Sequence, residues 1–106
     1  MVDPAADPVL RRLRQALEAE YGPRLERAVL FGSRARGEAR PDSDYDVAVF
    51  LTDMPDWWAE TGRLAPLQVM LMDEFEAFIE FVPRQASALA ERSPLTLEIR
   101  RDGIAL

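Results

Sequence analysis

The chain contains no cysteine, no histidine and no lysine among its 106 residues. Without cysteine there are no disulfides and no thiol nucleophile, and the redox compartment cannot be read from cysteine usage. Without histidine, neither a Ser-His-Asp triad nor a histidine-ligated zinc site can be built. Without lysine, a P-loop lysine and a lysine nucleophile are both excluded. No apolar run approaches the roughly 20 residues that span a bilayer. The N-terminus also lacks a basic-then-apolar leader pattern, so a cytoplasmic protein with no membrane attachment is expected. A surplus of positive charge is missing too: 13 arginines face 19 acidic residues, a net charge of −6. That balance argues against general nucleic-acid binding through a broad basic surface, while allowing a local basic pocket. Carboxylates, hydroxyls, arginines and a bound metal remain as the means of any chemistry.

With 48% apolar residues the chain has the composition of a folded globule. Its length suits one domain, residues 1–106, with one core and no separate substrate-binding domain. There is no internal repeat and no low-complexity linker. Read in order, the chain suggests an α/β (α+β) fold, a small mixed β-sheet of three to four strands with helices packed on it.

The stretch from Val29 to Leu51, VLFGSRARGEARPDSDYDVAVFL, organises the rest. Val29, Leu30 and Phe31 end a buried strand that begins near Arg27. Gly32 then permits a sharp turn and a close approach of backbone to a ligand. Ser33 is placed to cap a short helical turn begun by Arg34, Ala35 and Arg36. Amides at such a helix start, with arginines beside them, suit phosphate oxygens. The two arginines oppose the helix dipole unless an anion is near, which favours triphosphate contact; the plainer reading is a pair of exposed, unpartnered cations. A turn-rich loop, Gly37 to Ser43, leads to Asp44-Tyr45-Asp46 and an apolar strand, Tyr45 to Leu51. Residues two apart on a strand share a face, so Asp44 and Asp46 project together. Two such carboxylates at the start of an apolar strand repel each other and call for a cation. Magnesium, which takes carboxylates together with substrate phosphates, suits them.

Around this unit, Asp7 and Pro8 start a helix whose apolar face is Val9, Leu10, Leu13, Leu17 and Tyr21, and Gly22-Pro23 ends it. Asp56 or Thr52 is placed to cap a second long helix from Trp57 to Leu71, with breaks expected near Gly62 or Pro66. Trp57 and Trp58 read as packing residues; a base-stacking platform is the alternative, and exposure of either would indicate a partner surface. Phe78 to Val82 reads as a third strand ended by Pro83, with Phe78, Glu80 and Val82 on one face. Glu80 inside an apolar strand either meets a cation or faces solvent at an edge. Gln85 to Arg92 reads as a short helix, Ser93-Pro94 opens another that ends by Gly103, and Ile104 to Leu106 form a terminal edge strand.

Gly32-Ser33, ten residues, then Asp44-x-Asp46 between apolar strands resembles the signature of the nucleotidyltransferase superfamily related to DNA polymerase beta. In particular it resembles the minimal nucleotidyltransferases, the MntA-like antitoxins. The resemblance implies a palm-like sheet and transfer of a nucleoside monophosphate, AMP from ATP, to a hydroxyl. It implies that Asp44, Asp46 and a third acidic residue hold two magnesium ions, and Glu80 stands in the matching apolar setting where the family usually has aspartate. It implies nucleotide binding by Gly32, Ser33 and Arg34, with Arg36 beside them. It also implies a hetero-oligomeric partner, a HEPN-type ribonuclease toxin modified on tyrosine. A non-catalytic antitoxin that masks its partner and a small-molecule nucleotidyltransferase are the alternatives.

Overall fold

The computed structural model describes residues 2–106. Its elements in chain order are α1 (Pro8–Tyr21), β1 (Leu25–Phe31), α2 (Gly32–Ala35), β2 (Tyr45–Leu51), α3 (Trp57–Phe75), β3 (Ile79–Gln85), α4 (Pro94–Asp102) and β4 (Ile104–Ala105). Short 3-10 turns occupy Gly22–Arg24 and Ala86–Ala90. The strands form a mixed sheet in the order β3-β2-β1-β4. β1 runs antiparallel to β2 and β4, whereas β2 and β3 run parallel. A parallel pair needs a long crossover, and α3 supplies it.

β2 is buried on both faces because each face has its own cover. Tyr45, Val47, Val49 and Leu51 join Leu10, Leu13 and Leu17 of α1 and Leu64, Leu67 and Leu71 of α3 in one core. Ala48 and Phe50 point the other way, where Val29, Leu89 and Ile99 surround them. Asp46 shares the second face by alternation, which sets the candidate site on the α4 side of the sheet.

The caps follow local chemistry. The Asp7 carboxylate accepts from the Val9 amide at 2.8 Å, with Pro8 opening α1. Asp56, rather than Thr52, caps α3 by accepting from the Trp58 amide at 3.0 Å. Ser93 and Thr96 form a reciprocal capping box on α4.

Several sequence expectations are corrected. β1 begins at Leu25, two residues before Arg27, because Leu25 already pairs with Leu51. Helix α3 runs unbroken through Gly62 and Pro66. Both residues are exposed, so the Gly62 carbonyl that Pro66 cannot bond faces water. Pro83 does not end β3, which continues to Gln85. β3 lies at the sheet edge, where a missing N–H on the outer side is tolerated. Phe78 precedes the strand and is exposed. Trp57 and Trp58 do not pack inside: they are 46% and 76% exposed and meet each other edge to face. No helix among the described residues is long and apolar enough to cross a membrane.

Candidate active site

The end of β1 and the start of β2 lie side by side, with Phe31 paired to Asp46. Gly32 follows with a φ of +74°, a backbone conformation that side chains resist. A methyl group added at Gly32 would overlap Oδ2 of Asp46. Gly32 is thus a cradle for that carboxylate: the strand-to-helix turn is closed down onto Asp46.

Ser33 lies inside the turn of α2 rather than capping it. Phe31 occupies the cap position with no side-chain bond, so the turn starts two residues earlier than a Ser33 cap requires. The Ser33 carbonyl accepts from the Glu38 amide at 2.9 Å and so closes the turn against the following loop.

On the other side of β2, Glu80 stands in register with Asp46. Neighbouring strands are about 4.8 Å apart, so the two carboxylates share one patch on the α4 face. Asp44 lies one residue before β2. Burial, and then the negative fields of Glu80, Asp44 and Glu98, raise the Asp46 carboxyl above its ordinary value, with Arg36 opposing them. Among the described residues, no three acidic side chains converge into a ready-made metal cage. Magnesium does not demand one, since it keeps several waters and binds through one or two carboxylates plus phosphates. A half-buried carboxylate crowded by like charges, open toward Asp44 and Glu80, fits such an ion.

The arginines are engaged. Arg36 pairs with Glu38 at 3.0 Å and with Glu98 of α4 at 3.3 Å, and these anions raise its own pKa. Arg34 turns toward the loop before Asp44. Its Nη2 donates to the Ser43 carbonyl at 2.7 Å and the Pro41 carbonyl at 3.3 Å, and its guanidinium stacks 3.9 Å from the centre of the Tyr45 ring. The Tyr45 hydroxyl in turn donates to Oδ2 of Asp7 at 3.0 Å. One chain of contacts therefore ties α2, the loop, the first residue of β2 and the cap of α1.

Glu98 escaped the sequence reading. It lies 62 positions from its partner Arg36, on a helix whose placement no local pattern announces. Tyr45, which reads as an ordinary strand aromatic, likewise reveals its part only when Arg34 and Asp7 are brought to it.

The model of the nucleotidyltransferase domain matches residues 10–96, and the chain belongs to this family. Solved structures agree on the fold. A protein assigned as a minimal nucleotidyltransferase superposes with a TM-score of 0.61 at 26% identity, over 99% of this chain and 97% of its own. A toxin–antitoxin with AMP-PNP gives 0.62 at 21% identity, covering 90% of this chain and 69% of that one. The MNT antitoxin complex with the tri-AMPylated HEPN toxin of Shewanella oneidensis gives 0.52 at 18% identity, covering 92% and 70%. No curated protein matches. The resemblance to minimal nucleotidyltransferases, drawn from the Gly-Ser turn and the Asp-x-Asp pair, is borne out by family and fold together.

Proposed function

We propose that this chain is a metal-dependent transferase that moves AMP from ATP to a hydroxyl of a partner protein. The observation that carries the reading is Asp46, held against Gly32 and crowded by further carboxylates, an arrangement that favours bound cation over isolated charge. Asp44, Asp46 and Glu80 would hold two magnesium ions, which when bound neutralise the triphosphate and the attacking oxygen. Gly32 and Ser33 would seat the terminal phosphates, with Arg34 and Arg36 beside them. The acceptor oxygen bonds to the α-phosphorus while the bridge to the β-phosphate breaks. Pyrophosphate leaves, and Glu80 receives the hydroxyl proton. Such a transfer needs positioned charge rather than a protein nucleophile, which suits a chain without histidine, cysteine or lysine.

In this reading residues 1–106 are one nucleotidyltransferase domain, and the acceptor needs a surface of its own. A partner protein would supply that surface. The AMPylated HEPN toxin bound to an MNT antitoxin in Shewanella oneidensis supports a HEPN-type toxin as the acceptor, and the hydroxyl in this reading is a tyrosine's. The chain would then be a cytoplasmic, type VII antitoxin that silences its partner by modification. Intact-mass measurement tests this: the chain, the protein encoded beside it, magnesium and each nucleoside triphosphate are mixed and weighed. An AMP adduct on the partner that disappears in Asp46→Asn supports the reading. A stable complex with no mass change would replace it with a masking antitoxin.

A further inference from the structure

Helix α3 is apolar on two opposite faces. Its inner face, Leu64, Leu67 and Leu71, belongs to the core. Its outer face carries Trp58, Gly62, Ala65, Val69 and Met72, all exposed and separated by four, three, four and three residues. That alternation is the seam by which one helix receives another, with small residues at the middle positions letting backbones approach. Trp58 is 76% and Val69 61% exposed. Of the positions flanking the seam, Ala59, Thr61, Pro66 and Gln68 are uncharged, while Asp73 puts an acidic group beside the Val69–Met72 end. A second apolar face on a helix already packed against a core is a surface for another element.

The C-terminal end of the seam lies at the same end of the sheet as the site, on the face opposite Asp46. Val69 and Met72 share a cleft with Phe78, which is 56% exposed. The Phe78 carbonyl accepts from the Tyr45 amide at 2.9 Å, and Tyr45 stands between Asp44 and Asp46. Whatever lies along α3 and covers Phe78 therefore borders the end of the sheet where the carboxylates gather.

The geometry points to an amphipathic helix of a net-basic partner protein as the occupant of this outer face. The 3-4 spacing selects a helix over an extended segment. The net charge of −6 opposes a second copy of this chain and attracts a partner of the other sign. This docking rests on the protein-acceptor reading above and identifies where that acceptor protein would be held.

The test uses the full chain co-expressed with the protein encoded beside it. Val69→Glu and Met72→Glu alter exposed positions, so thermal unfolding should stay as in the parent. Each is expected to weaken the complex by about 30-fold or more, the scale of a hot-spot residue. A photo-crosslinker at position 69 should trap partner residues three and four apart. The docking is overturned if the parent chain forms no complex, if the complex survives both variants, or if the crosslinks fall on an extended segment. It is also overturned if the chain alone is a dimer that the variants dissociate. Asp46→Asn separates the two readings. A complex that depends on α3 without AMP transfer keeps the docking and ends the transferase proposal. Undiminished transfer in the α3 variants does the reverse.

Discussion

Glu60 and Asp46 sit at opposite ends of the sheet, and their surroundings differ in kind. Glu60 is only 3% exposed, and Arg24 meets its Oε1 at 3.0 Å while Arg63 approaches it at 3.7 Å. Arg24 also bonds Asp53 and lies 5.6 Å from the centre of the Tyr21 ring, so the end of α1, the start of β1 and the start of α3 are clamped together. Asp46 is less buried, yet it faces Asp44, Glu80 and Glu98 and receives only the field of Arg36, which two other acids already share. A carboxylate kept for structure is given its cation by the fold. Under the transferase proposal Asp46 is left short of positive charge so that a ligand completes it. The structural cluster has its own residual strain: the Tyr21 hydroxyl and Oε2 of Glu60 are buried without hydrogen-bond partners. Burial first, then the charge of Glu60, pushes the Tyr21 phenol well above its usual range.

Isosteric loss of charge tests the difference between the two carboxylates most directly. Asp46→Asn should lower nucleotide transfer by about 10²–10³-fold, the scale for removing one preorganised charge-stabilising group, in a steady-state assay. Asp46→Asn leaving the rate intact would end the contrast. At the other cluster, Arg24→Ala should cost about 2–3 kcal/mol in denaturant unfolding. That is less than a fully buried pair would cost, because the Arg24 side chain is 32% exposed and Arg63 remains. Gly32→Ala should cost about 1–3 kcal/mol for its positive φ and should also impair transfer, since the added methyl displaces the Asp46 carboxylate.

The smallest effect is the sharpest. A carboxyl whose folded pKa is raised binds its proton more tightly in the native state, so its contribution favours folding at low pH. That contribution fades as pH rises from the ordinary value of 3.8 through the raised one. Metal-free Asp46→Asn should therefore melt slightly above the parent at neutral pH, with the gain vanishing toward pH 3.8. Arg24→Ala should lose stability under the same neutral conditions. Equal signs for the two variants in thermal melts would show that the clusters do not differ as described.

Much of this was legible from residue order because it depends on local rules. Strand β2 announced itself by its apolar run, α1 by its capped, one-sided pattern, and the Gly-Ser turn and aspartates by their spacing. The errors cluster where neighbours overrule local preference. Pro66 and Pro83 read as stops, but an exposed helix face and a sheet edge accept them. Trp57 and Trp58 read as core or interface packing, and the core half of that reading fails because leucines fill the inner face of α3. The carbonyls and the aromatic ring that the folded loop offers Arg34 were invisible in residue order for the same reason.

Residue order alone sets the backbone of the candidate site: the glycine that turns, the alternation that puts Asp46 on one face, and a composition without histidine, cysteine or lysine. These are short-range consequences of φ/ψ freedom, strand periodicity and composition. The charges around that carboxylate come from the assembled fold. Pairing β3 parallel to β2 brought Glu80 into register with Asp46, and packing α4 on the same face brought Glu98 to Arg36. Electrostatic environment depends on distances between segments remote in the chain, and those distances exist only once the sheet and its two covering layers are assembled.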